Sequence, residues 1–149
     1  MHNFADLRMD PVVLDSAAAG QHIEIVAPYT EWSLAKAVLK RAESLTAGLN
    51  ATVRLIAVHA VPYPLPFCCP SSTHAHLVEQ LVDLASGCPF SVEAQVVLAR
   101  YEDEGFRGIL EPGSVVLIGT RKRLWKTREE KMAHSLAREG HTVALLHID

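Results

Sequence analysis

The chain has 149 residues, 49% of them hydrophobic and 21% charged, which suits one domain with a continuous core and leaves little room for two. A net charge of -3 gives no overall electrostatic case for nucleic acid, so no nucleic-acid partner is expected. No apolar run approaches the roughly 20 residues needed to cross a bilayer, and Met1 to Gly20 lacks a basic region followed by an uninterrupted apolar core, so no membrane partner and a cytoplasmic location are expected.

Residues 1–20 read as a polar N-terminal arm carrying Asp6, Arg8, Asp10 and Asp15, followed by one domain over residues 21–149. Ile23 to Ala27 is a β-rich run that stops at Pro28-Tyr29-Thr30, where proline ends the ladder. From Ser33, the residues Leu34, Val38, Ala42, Leu45 and Leu49 recur at helical spacing, with Thr30 or Ser33 expected to cap and Gly48 to stop the helix. Val53 to Val61 is apolar without alternation, as befits a strand covered on both faces. The four prolines 62, 64, 66 and 70 then make Val61 to Thr73 a long surface loop.

His76 to Ala85 predicts a second helix through Leu77, Val78, Leu81, Leu84 and Ala85, with Gly87 as its stop. In Phe90 to Leu98 the apolar residues alternate with Ser91, Glu93 and Gln95, the pattern of a half-covered edge strand. A helix from Glu102 to Leu110 ends at Pro112-Gly113, and a fully apolar strand follows from Ser114 to Gly119. The last elements are a helix from Thr127 to Glu139, stopped by Gly140, and a strand from Thr142 to Ile148. Repeated strand and helix in one domain predict an α/β fold: a single doubly wound five-stranded parallel sheet, order 3-2-1-4-5, with helices on both faces.

In that order the sheet reverses between its first and fourth strands, and ligands in such sheets bind in the crevice beyond the carboxyl ends at the reversal. The crevice joins residues 28–33 to residues 119–128. There Arg121, Lys122, Arg123, Lys126 and Arg128 crowd one mouth, suited to a small anionic ligand through forked guanidinium hydrogen bonds. Thr30, Ser33, His59, Gly119, Thr120, Arg121, Lys122 and Arg123 are the candidate ligand-binding residues. Glu129 and Glu130 follow at once and offer the cations internal partners. Trp125 is expected to cover the end of the sheet as a lid.

Cys68, Cys69, His74 and His76 are the one cluster with soft-ligand chemistry. Adjacent cysteines resist sharing one tetrahedral ion and the spacing matches no common zinc pattern, so no metal site is assigned, and metal or thiol chemistry in the Cys68 to His76 loop stands as a second alternative function. Three cysteines, two of them adjacent, form no disulfide framework, as expected in a reducing compartment. No nucleophile, base and orienting acid stand in a recognisable arrangement, and no catalytic residue is assigned. The closing strand is apolar on both faces yet falls at an edge, so a homodimer through Val143 and Leu145 is expected.

The strand Ile23 to Ala27, the helix entered through Ser33-Leu34, the strand ending Ala57-Val58-His59-Ala60 and the late strand Val115 to Gly119 together resemble the universal stress protein family, from about Gln21 to the C-terminus. The basic, tryptophan-containing run Arg121 to Lys126 is also similar to the corresponding loop of the stress-protein-like domain in potassium-sensing histidine kinases. The resemblance implies a binding or regulatory domain, and dimerisation through the last strand. Family members that bind ATP carry a glycine, two residues, a glycine, nine residues, then a glycine and a serine or threonine. Here only Gly119 matches, with Lys122 at the second position and Met132-Ala133 where the last pair falls, in a segment about three residues shorter. Pro28, Tyr29 and Thr30 stand where those members place an aspartate. Side chains at glycine positions fill phosphate space, so the expectation is no ATP or AMP cofactor held in the family manner; nucleotide or phosphate binding by side-chain cations is the alternative.

Overall fold

The computed structural model describes residues 22–67, 72–122 and 124–148. The N-terminal arm, Cys68, Cys69, Pro70 and Arg123 lie outside the described residues. In chain order the elements are β1 (Ile23–Pro28), α1 (Trp32–Thr46), β2 (Ala51–Ala60), α2 (Ser72–Ser86), β3 (Val92–Ala99), α3 (Glu102–Ile109), β4 (Val115–Arg121), α4 (Arg128–Arg138) and β5 (Thr142–Ile148). They form one five-stranded sheet of order β3-β2-β1-β4-β5, with every pairing parallel. The predicted fold class and strand order are those of the structure.

The strands are buried on both faces because each alternates its side chains between two helical layers. Ile23, Ile25 and Ala27 of β1, Val53, Leu55 and Ala57 of β2 and Leu117 of β4 pack beneath α1 and α2, where Val38, Leu39, Leu81 and Leu84 meet them. Val26, Ile56, Val116 and Ile118 face the opposite layer, against Phe106, Ala133 and Leu136 of α3 and α4. At roughly 25 cal/mol per Å² of apolar surface, each buried Val, Leu, Ile or Phe among them contributes on the order of 1.5–3 kcal/mol before conformational entropy is counted. On the α3 side Arg54 of β2 spans three strands, donating from Nη1 to Glu24 Oε1 of β1 at 3.0 Å and from Nη2 to Gln95 Oε1 of β3 at 2.9 Å.

Several boundaries move. α1 is capped at Glu31, in extended backbone and with no side-chain cap hydrogen bond, so neither Thr30 nor Ser33 caps it. Both hydroxyls are committed elsewhere. Gly48, at φ +79°, ends α1 as predicted, because the left-handed conformation there is one only glycine takes at little cost. α2 begins at Ser72, four residues before the apolar periodicity does, since its first turn is polar and exposed. β4 runs to Arg121, two residues past Gly119, and this extension carries the start of the basic segment on strand rather than loop.

Candidate functional site

β1 and β4 are neighbours whose connections leave in opposite directions, α1 rising on one face and α4 on the other, so their carboxyl ends open the crevice that the order requires. Arg121, the last residue of β4, projects across it. Its guanidinium Nη2 donates to Glu31 Oε1 at 2.6 Å and to the Ser33 hydroxyl, while Ser33 Oγ also donates to Glu31 at 2.5 Å. The hydrogen bond and charge of Glu31 hold the Arg121 proton above the ordinary arginine range, with Glu129 adding a further attraction. A second tie runs alongside, from Thr30 Oγ1 to Glu129 Oε1 at 3.1 Å. Ser33 and Arg121 therefore share one cluster with Glu31 while Thr30 bonds to Glu129, so acidic side chains of the same chain are their partners.

Thr120 is fully buried, and its hydroxyl meets that of Thr127 at 2.5 Å. Thr127 is the N-cap of α4, accepting from the Glu130 N–H at 3.1 Å. These contacts set the position of the α4 N-terminus, whose free N–H groups are further matched by Glu129 and Glu130 in its first turn. Gly119 faces α1, not open space. A Cβ there would stand 2.6 Å from Val38 Cγ2 and 3.5 Å from the Leu34 carbonyl oxygen, so the missing side chain is what lets α1 lie close to β4. Met132 and Ala133 fall inside α4, Ala133 in the core, away from the crevice mouth.

His59 lies half-buried near the end of β2, on the face toward α2, with its ring edge-on to that of His74 at 6.0 Å between centroids. The pair stands on the α2 side of the sheet rather than between β1 and β4. Among the described residues, no three His, Cys, Asp or Glu side chains are placed to hold a metal ion. Lys122 is exposed. Trp125 is not a lid: it is 85% exposed and Leu124 beside it 99%, so neither covers the sheet. Arg128 turns the other way, pairing with both carboxylate oxygens of Glu102 at the start of α3.

Two features had no sequence signal of their own. Arg100, just past β3, donates to the carbonyls of Val61, Pro62 and Leu65 at 3.2, 3.3 and 2.6 Å. Its guanidinium also lies 4.1 Å from the Tyr63 ring centroid and 4.2 Å from that of Phe67, so one cation organises the proline loop. The second is a groove of about 510 Å³ between α3 and α4, with Phe106, Met132 and Leu136 inside and Glu102, Arg128 and Glu139 at its rim.

These features define a doubly wound α/β domain whose switch-point crevice is bridged by its own polar side chains. No family profile and no curated protein matches the chain. Among solved structures, a universal stress protein from Archaeoglobus fulgidus superposes with a TM-score of 0.56 at 16% identity, covering 85% of this chain and 93% of that one. A universal stress protein in complex with cAMP superposes at a TM-score of 0.48 and 13% identity, covering 85% and 95%. The fold is that of the universal stress proteins.

Proposed function

We propose that this chain is a non-catalytic binding or regulatory domain of universal-stress-protein type that does not hold ATP in the family manner. The observation that carries the reading is the position of Arg121, clasped between Glu31 and Ser33 where an anion would need that guanidinium. Gly119 supports it, because its bare Cα is used against Val38, and the Cβ of Lys122 takes the place of the second glycine. A ligand that binds only the native state must raise its melting temperature. Thermal unfolding with millimolar ATP, AMP or phosphate is therefore expected to match the ligand-free curve, and a saturable rise with ATP would refute the proposal.

A second reading keeps an anion in the crevice, and the Ser33 hydroxyl bonded to Arg121, with the Thr30 hydroxyl bonded to Glu129 alongside, favours it. An incoming phosphate would have to displace Glu31. Glu31→Gln removes that competing charge, so a phosphate-dependent rise in melting temperature that is larger in E31Q than in the parent chain would support this reading. We further propose a homodimer across β5. Val143 and Leu145, the residues expected at the edge, are buried against the α3 and α4 layer, so the contact would be made by the main-chain edge of β5. Sedimentation velocity across a concentration series tests it.

A further inference from the structure

The exposed large hydrophobic side chains are not spread over the molecule. Among the described residues, Trp32, Tyr63, Leu65, Phe67, Tyr101, Leu124 and Trp125 all stand at the carboxyl end of the sheet, in strand-to-helix loops or the first turn of α1; only Val78 and Val82 of α2 lie elsewhere. A parallel sheet brings these loops to one end, but nothing in the topology requires them to be apolar. Leu124 and Trp125, at 99% and 85% exposure, are the extreme case, and they form the tip of the β4–α4 segment. Burial in the fold does not account for them.

The charges around that tip are sorted. Arg121 and Arg128, at its two ends, turn inward to Glu31 and Glu102 and anchor the segment to the body. Lys122 and Lys126, closer to the tip, are exposed and take no ion pair among the described residues. No carboxylate occurs between Arg121 and Arg128. An indole and a leucine side by side, flanked by free ammonium groups, match the polarity profile of the boundary between anionic headgroups and acyl chains. A second apolar group, Tyr63, Leu65 and Phe67, projects from the β2–α2 loop with Arg100 between two of its rings. β2 and β4 flank β1, so the two loops leave the sheet from strands two spacings apart, roughly 10 Å. Both protrude, and an extended surface that yields locally accommodates two separate protrusions better than a walled pocket does.

We propose that the carboxyl end of the sheet docks peripherally on an anionic lipid surface, with Leu124 and Trp125 entering the interface and Lys122 and Lys126 meeting lipid phosphates and carboxylates. The absence of a spanning helix among the described residues does not bear on such docking. Of the carboxylates at this end of the sheet, Glu31, Glu102 and Asp103 are paired with Arg121, Arg128 and Arg107, which limits their repulsion of the bilayer, while Glu129 and Glu130 lie partly buried in the first turn of α4.

The test is co-sedimentation of the full chain with phosphatidylcholine vesicles, with or without about one-third phosphatidylserine, at roughly 0.1 M salt. Binding is expected only to the anionic vesicles. Leu124→Ser with Trp125→Ser, and separately Lys122→Gln with Lys126→Gln, should each lower the partition coefficient about tenfold or more, since each lysine near such a surface adds appreciably to binding. All four side chains are exposed, so an unchanged melting temperature is expected and confirms folding. A W32F chain, with Trp125 as its one indole, should shift its emission to the blue on anionic vesicles. No sedimentation with anionic vesicles, or undiminished binding of the L124S/W125S chain, overturns the proposal. An emission change with poly-glutamate but not with vesicles would assign the tip to an acidic polypeptide, and concentration-dependent self-association lost in L124S/W125S without vesicle binding would assign it to a second copy; either result also overturns it.

Discussion

Gly119 of β4 and Val38 of α1 compete for one space: a Cβ on the glycine would stand 2.6 Å from Val38 Cγ2. Valine is stiff at χ1 and cannot swing aside. Gly119→Ala should therefore destabilise the fold by about 1–3 kcal/mol, the usual range for overpacking a dense core. Val38→Ala combined with it should recover much of that loss, a non-additivity that denaturant unfolding of the two single variants and the double variant would measure. Additive losses would mean that the glycine serves something other than this approach.

Thr127→Ala removes two bonds at once, the cap to Glu130 N–H and the partner of the buried Thr120 hydroxyl. A lost cap costs about 1 kcal/mol, and the buried Thr120 hydroxyl, left with only a long contact to the Arg121 carbonyl at 3.5 Å, adds roughly another 1 kcal/mol. Thr127→Ser, which keeps the oxygen, should restore most of the melting temperature.

Arg121→Gln and Glu31→Gln should by contrast leave stability nearly unchanged, because the pair is open to solvent and screened. Their side chains are 33% and 49% exposed. Urea unfolding would check this, and a loss comparable to that of Thr127→Ala would show that the clasp matters to the fold itself.

Arg100→Gln withdraws the donor from three loop carbonyls and the cation from two rings. Limited proteolysis should then cut within residues 62–67 several-fold faster, with little change in global stability, because the exposed loop opens without unfolding the sheet.

The Cys88 thiol is pushed up from its ordinary range, first by burial and second by the nearby Glu43 carboxylate, and it also donates to the Leu84 carbonyl at 3.3 Å. At neutral pH Cys88 should alkylate more slowly than a free thiol, as read by peptide mapping, and speed up only as pH rises above the ordinary thiol range. A raised acid pKa means that the folded chain keeps its proton where the unfolded chain has lost it. The contribution to stability is thus complete below the ordinary thiol pKa and is lost as pH rises through the elevated value.

Strand order was legible because hydrophobic period and run length distinguish fully covered β2 and β4 from half-covered β3, and a parallel sheet with short crossovers then admits few arrangements. The crevice was legible for the same reason, since topology alone sets where the winding reverses. Its contents were not. Arg121 finds Glu31 across ninety positions of sequence, and no local pattern announces that a cation in a basic run will be claimed by an acid just before α1. The glycine at 119 carries the same letter whether it makes room for a ligand or for Val38, and only the path of α1 decides. Trp125 misled because tryptophan in a loop usually finds cover, whereas this one stands clear of every helix. The polar first turn of α2 hid its true start, because apolar periodicity marks the buried part of a helix and not its ends.

Arg54 holds a carboxylate on one neighbouring strand and an amide on the other. Sliding either flank by a residue would carry its partner to the far side of the sheet and break that contact, so misaligned pairings of the three strands forfeit a link that the correct alignment alone can make. A single long side chain thereby helps proofread the assembly of that half of the sheet.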